Sequence, residues 1–177
     1  MIGVVVPAHD EEAHIGDTVA ALLVAAAHPA LRGEAVEVLV VLDSCSDATG
    51  PIARFAGART LGVDARNVGR ARAAGADRLL GEGARWLAFT DADTRVSPEW
   101  LMRQLEIDAD VVCGSIGVDD WSVHGHYADS LRAHFARTYT DADGHRHVHG
   151  ANLGVAAKAY VRAGGFPALA CSEDVAL

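Results

Sequence analysis

Two aspartates, Asp91 and Asp93, stand two positions apart directly behind the apolar run Trp86–Phe89. On an extended segment residues i and i+2 share a face, so both carboxylates are expected to point the same way. Their hard oxygens suit Mg²⁺ or Mn²⁺, which can also hold a diphosphate. The plain alternative for such a tripeptide is a turn or a helix cap. Two further acidic groups follow apolar runs: Pro7-Ala8-His9-Asp10-Glu11-Glu12 after Ile2–Val6, and Asp43-Ser44-Cys45-Ser46-Asp47 after Val36–Leu42. Gathered at one edge of a sheet, three such clusters raise one another's pKa values unless something cationic sits among them.

The elements that must gather them alternate. Ile15, Val19, Leu22, Leu23 and Ala26 recur at one-face helical spacing, with Glu11 and Glu12 where a helix start favours negative charge. The run Val36–Leu42 reads as a second strand, with Ser46-Asp47 as cap candidates and Pro51 in the first turns of a helix through Ala56. A short strand near Arg59–Leu61, an alanine-rich helix over Gly69–Leu80 and the strand Trp86–Phe89 complete a βαβαβαβ series. Continuous apolar strands between helices predict a mostly parallel sheet covered on both faces, and ligands of such sheets bind outside the carboxyl ends of the strands.

From about Asp110 the regularity changes. Val111–Val118 reads as another strand, Asp119–Gly150 as irregular with a turn at Asp143-Gly144, and residues Ala151–Val155, then a helix over Ala156–Ala163, lead to the turn Gly164-Gly165-Phe166-Pro167. His145, His147 and His149 alternate; on a strand they share one face and could bind metal, and otherwise they belong to a mobile polar loop. Asn152 either caps the following helix or touches a ligand. The expected organisation is one domain over 1–177, with a nucleotide-binding half (1–97) and an acceptor or catalytic half (98–177), the latter read as possibly truncated because the chain stops without a closing element.

Composition narrows the classes. With 177 residues, half of them hydrophobic, the chain buries one core. A net charge of -9 argues against nucleic acid, whose phosphates need Lys and Arg clusters. No apolar stretch is long enough for a membrane span, and no secretory signal opens the chain, so a cytoplasmic setting is expected. Cys45, Cys113 and Cys171 are odd in number and lack CxxC spacing, so they read as reduced. GxGxxG is absent and so is a Walker lysine, which excludes dinucleotide-fold dehydrogenases and P-loop enzymes.

In this order the motifs resemble those of family 2 glycosyltransferases of the GT-A fold. Pro7-Ala8-His9-Asp10-Glu11-Glu12 resembles PAxNEE with Asp10 in place of Asn. Val41-Leu42-Asp43-Ser44-Cys45-Ser46-Asp47 resembles VDDxSxD with Leu42 for the first Asp. Ala65–Gly69 is similar to ARNxG and Phe89–Asp93 to FxDAD. His149–Leu153, Gly164-Gly165-Phe166 and Ser172-Glu173-Asp174 resemble the later GxN, GGF and (T/S)ED motifs. The resemblance implies an open Rossmann-like sheet with a smaller, irregular or antiparallel acceptor part. It implies a nucleotide-sugar donor, UDP-linked above all, an acceptor hydroxyl of unknown kind, and Mn²⁺ or Mg²⁺.

Carried over residue by residue, Pro7, Ala8 and Glu11 border the nucleotide and Asp43 accepts from the base. Arg66 pairs with a phosphate or closes the pocket. Asp91 contacts ribose or the metal shell, and Asp93 ligates the metal. Asp174 is the general base, and Glu173 orients the acceptor. Asn152 is a candidate for the donor sugar. His147 or His149 is a possible third ligand, as in some retaining GT-A enzymes, so retention stands beside inversion. A non-catalytic nucleotide-sugar-binding domain is the alternative of a different class.

Overall fold

The computed structural model of the chain describes residues 1–169 and 172–177. Six strands, β1 (Ile2–Ala8), β2 (Val36–Asp43), β3 (Arg59–Val63), β4 (Trp86–Phe89), β5 (Val111–Cys113) and β6 (Leu153–Ala156), form one sheet in the order β3-β2-β1-β4-β6-β5. The first four run parallel, with Ile2 beside both Val36 and Trp86, whereas β6 runs antiparallel to β4 and β5. The order reverses between β2–β1 and β1–β4, and the loops after these strands open a crevice there.

Successive residues of β1 serve opposite faces. Val4 and Val6 pack with Val38, Val40 and Ala88 under α1 (Ile15–Ala26), α2 (Thr49–Phe55) and α4 (Trp100–Glu106). Val5 packs with Leu39, Val41, Leu87 and Phe89 under α3 (Val68–Gly81) and α6 (Ala157–Ala163). This double burial is why the strands read as unbroken apolar runs. Each fully buried Val, Leu or Phe contributes about 1.5–3 kcal/mol, enough to hold the strand ends, and so the acidic loops, in a fixed relation. Helix α1 presents Ile15, Val19 and Leu22 to this core, as its spacing predicts.

The second half departs in detail from the sequence reading. The strand expected over Val111–Val118 ends at Cys113, because Gly114 and the loop beyond it turn toward Asn152. The segment read as irregular contains a 3₁₀ stretch, Ser122–Tyr127, and α5 (Ala128–Thr138), whose residues are all at least partly exposed. The turn at Asp143-Gly144 is present, with Gly144 at φ 81°. Among the described residues no helix is long and apolar enough to cross a membrane. Cys45 and Cys113 are unpaired, and Cys171 lies outside the described residues.

Candidate functional site

A cleft of about 1190 Å³ opens at the carboxyl ends of β1, β2 and β4. Pro7, Ala8, Glu11, Asp43, Arg66, Asp91, Asp93, His149, Glu173 and Asp174 all line it, so one space gathers most of the candidates. His147 is not among its lining residues, and Asn152 lines an adjoining cavity that shares Asp91 and Asp93.

Most of the rim acids are satisfied by the fold itself. Asp10, in the left-handed region at φ 54° where Asn and Asp are tolerated, accepts from the Ser46 and Asp47 amides at 2.6 and 3.3 Å. Asp47 accepts from the Thr49 amide and hydroxyl, starting α2, and from the Glu12 amide at 2.9 Å. Glu12 in turn accepts from the Ala48 amide. Asp10, Cys45 and Asp47 cluster closely enough to suggest an ion, yet these bonds already employ both carboxylates, and the Cys45 thiol donates to the Ala8 carbonyl.

Asp43 is the firmest of these anchors. It is 5% exposed. Its Oδ1 accepts from the Ala65 and Arg66 amides and its Oδ2 from the Asn67 amide, each at 2.8 Å. Burial pushes its carboxyl up, but the Asn67, Arg66 and Ala65 N–H groups outweigh burial and hold it below the ordinary range. The expected contact with a base therefore meets a carboxylate already engaged by the loop ahead of α3. That loop carries Arg66, at φ 47°, into the cleft, and Asn67 caps α3 by accepting from the Arg70 amide at 2.9 Å.

Asp91 and Asp93 lie on a turn, with the Thr94 amide bonded to the Asp91 carbonyl, rather than on an extended segment. The extended segment expected here is corrected to a turn; both carboxylates still line the cleft, but with different partners. Asp91 accepts from Arg72 Nη2 at 2.5 Å, while Asp93 is exposed and without a hydrogen bond among the described residues. Although 40% of the Asp91 side-chain surface reaches solvent, burial raises its carboxyl, against the pull of Arg72 and with the push of Asp93 and Asp174. Glu11 is raised likewise, first by burial and then by Asp93.

Arg72 is a cleft residue that the motifs do not point to. It is 4% exposed on α3 and also donates through Nη1 to the buried Glu173. Its signal was present: Arg72, Gly75, Ala76 and Leu79 share the i, i+3, i+4, i+7 face that α3 buries. Glu173, expected to orient an acceptor, is thus a buried cleft residue whose carboxylate is already bonded to an arginine. Asp174 stays half-buried, accepting the Gly150 amide on Oδ2 at 2.8 Å and the Val175 amide on Oδ1 at 2.9 Å.

Asn152 is a brace. Its Oδ1 accepts from the Trp100 indole and its Nδ2 donates to the Ser115 carbonyl, both at 2.8 Å, joining α4 to the end of β5. Neither a helix cap nor a free amide for a sugar results. The alternating histidines do share a face, but as a ring stack: Tyr139 lies 4.3 Å from His147 at 11°, and His147 lies 5.8 Å from His149. His147 Nε2 accepts from the Thr140 amide. His149 Nε2, by contrast, is buried without a partner, and burial, then His147, pull its imidazole below the ordinary histidine value.

A mixed sheet with this crevice and this acidic turn after its fourth strand defines an α/β protein of the GT-A class. The chain matches the model of glycosyl transferase family 2 over residues 3–161 and belongs to that family. No curated protein matches it. Among solved structures it is similar to S. aureus TarS 1-349 in complex with UDP-GlcNAc, with a TM-score of 0.69 and 16% identity over 98% of this chain and 50% of that one. It is also similar to M. tuberculosis glucosyl-3-phosphoglycerate synthase, with a TM-score of 0.60 and 20% identity over 89% of this chain and 57% of that one. The same synthase in complex with Mn²⁺, UDP and glucosyl-3-phosphoglycerate gives a TM-score of 0.57 and 18% identity over the same 89% and 57%. The chain spans about half the length of these proteins.

Proposed function

We propose that the chain forms the donor-binding and catalytic part of a glycosyltransferase that moves a sugar from a nucleoside diphosphate, UDP first, to an acceptor hydroxyl with inversion. One observation carries the reading: of the acids lining the cleft, Glu11 and Asp93 alone among the described residues lack a hydrogen bond to their carboxylates, and they face each other's charge beside Asp91. A divalent cation relieves that repulsion, and the donor types suit one: hard carboxylate oxygens from Asp93 and Asp91, with the unpartnered Nε2 of His149, not His147, as a third ligand, which must draw together on binding because the only ligand trio within 4.8 Å among the described residues is Asp10, Cys45 and Asp47. Bound there as Mn²⁺ or Mg²⁺, the ion supplies a Lewis acid for the charge growing on the departing diphosphate.

The chain's own residues do the rest. Residues 1–97 supply the donor side: Pro7 and Ala8 border the nucleotide, Asp43 holds the loop that presents Arg66, and the Arg66 fork suits a phosphate. Residues 98–177 supply the acceptor side. Each oxygen of Asp174 accepts one amide and keeps a lone pair, so it can take the acceptor's proton. Likeness to proteins solved with UDP-GlcNAc and with Mn²⁺ and UDP supports this donor class.

Thermal shift tests the proposal. UDP and Mn²⁺ together, at about 100 times Kd, should stabilise the chain by about 2.7 kcal/mol in total, or about 5–10 °C at this length, which should exceed the sum of the shifts given by either alone. Asp93→Ala should remove the excess, and Asp174→Asn should keep it while losing transfer. A wild-type response no larger than the two separate ones defeats the reading. The orphaned Nε2 of His149 also favours a second reading, transfer with retention, and the anomeric configuration of the product by ¹H NMR decides between them.

A further inference from the structure

We propose that Arg72 is a positioning residue that couples the donor side of the cleft to the base side, so that Asp91 and Asp174 are set together. Its purpose rests on the donor reading above; its existence does not. Four segments meet on one buried guanidinium. Helix α3 supplies Arg72; Asp91, after β4, takes Nη2; Glu173 takes Nη1; and Gly150 packs its backbone against the guanidinium where any Cβ would collide with it. The Phe166 ring lies 5.8 Å from Cζ, and Nε has no partner.

An arginine cannot shed its proton to relieve this arrangement. Two carboxylates share one cation, and whatever draws Asp91 away, a bound cation included, shifts the guanidinium's charge onto Glu173. Glu173 precedes Asp174, whose carboxylate is itself fixed by the Gly150 and Val175 amides. The path Asp91–Arg72–Glu173–Asp174 therefore links the two ends of the cleft through contacts on every step. Any coupling along this path acts equally in both directions.

Amide exchange in the ligand-free chain reads this directly, since Asp91 makes no hydrogen bond to Gly150 or Val175. Asp91→Asn should speed exchange at the Gly150 and Val175 amides about fivefold or more, the lower end of usual site-to-site coupling, while the core amide of Val40 stays unchanged. In an Arg72→Lys background, where a single ammonium cannot span both carboxylates, adding Asp91→Asn should change those amides less than about twofold. Reporter amides within about twofold of wild type in Asp91→Asn, or equal acceleration in both backgrounds, overturn the coupling. Should Arg72→Lys fail to fold, as Val40 would reveal, Asp91→Asn alone decides. As a second readout, Glu173→Gln should weaken UDP·Mn²⁺ binding about fivefold although Glu173 is buried and bonded to Arg72. If the wild type binds no UDP·Mn²⁺, the donor reading falls, and the exchange result still judges Arg72.

Discussion

Replacing Asp43 with Asn isolates the contribution of one carboxylate to the architecture of the cleft. In the native chain Oδ1 holds the Ala65 and Arg66 amides and Oδ2 holds the Asn67 amide, all at 2.8 Å. An Asn oxygen can keep the first two, but its NH₂ then faces the Asn67 N–H, donor against donor. The loss is one hydrogen bond to a charged acceptor, about 1.5–3 kcal/mol, and an unmade bond for a partly buried N–H, about 1–3 kcal/mol. Since the groups overlap, the net is about 2–4 kcal/mol, or a fall of about 5–15 °C in Tm for a chain of this size. The sign with pH follows from the lowered pKa. The carboxylate's contribution is complete above its unfolded value, ordinarily 3.8, and is lost as pH falls through the still lower folded value. Calorimetry should therefore find the full gap between wild type and Asp43→Asn at pH 7, closing below the ordinary value. A variant that melts within about 1 °C of wild type at pH 7 would refute the claim that this carboxylate holds the loop.

Two surface and packing tests follow. Gly69 sits in the first turn of α3, where a Cβ would strike the Pro167 carbonyl oxygen and approach Glu173 at 3.1 Å. Gly69→Ala should cost about 1–3 kcal/mol in urea unfolding, while Gly81→Ala, with nothing within 4 Å, should gain up to about 1 kcal/mol; equal effects would disprove the close approach. Glu82 accepts two bonds from Arg59 and one from Arg78, which hold its carboxyl at about 2. A ¹³C titration should place its midpoint there, with Arg59→Gln moving it back toward 4.5. The depressed pKa stabilises the fold above the unfolded value, and the effect is lost as pH falls from 4.5 toward 2. A wild-type midpoint in the ordinary carboxylate range would sink this assignment.

The sheet was legible because its strands are buried on both faces. Val4, Val5 and Val6 cannot be polar when one face meets α1 and the other α3, so β1, β2 and β4 appear as runs whose ends mark the cleft. Where burial lapses the signal lapses too. Helix α5 buries no residue, so nothing constrains its composition beyond the spacing of Leu131 and Phe135, and its sequence reads as irregular. The end of β5 was overrun because Ile116 and Val118 continue the apolar pattern after the ladder has stopped at Cys113. Arg72 was hidden for the opposite reason. Its neighbours Ala71, Gly75 and Ala76 are small, so the buried face of α3 resembles mere helix propensity, and the arginine reads as a solvated charge.

The acidic rim shows best what residue types leave open. Clustered carboxylates do demand positive partners, but a sequence shows only side chains, and most partners here are backbone N–H groups from residues over twenty positions away. Asp10 is met by Ser46 and Asp47, Glu12 by Ala48, and Asp43 by residues 65–67. One buried guanidinium meets Asp91 and Glu173. Subtracting these narrows the demand for an external cation to Glu11, Asp93 and the second oxygen of Asp91. The spacing of two aspartates is therefore not what locates an ion, since the turn gives them different neighbours. On the donor reading proposed above, the unanswered charge does, and it falls where the family resemblance expects a metal. A buried carboxylate that already holds its amides has little to offer a divalent ion, whereas one with free lone pairs gains from meeting it.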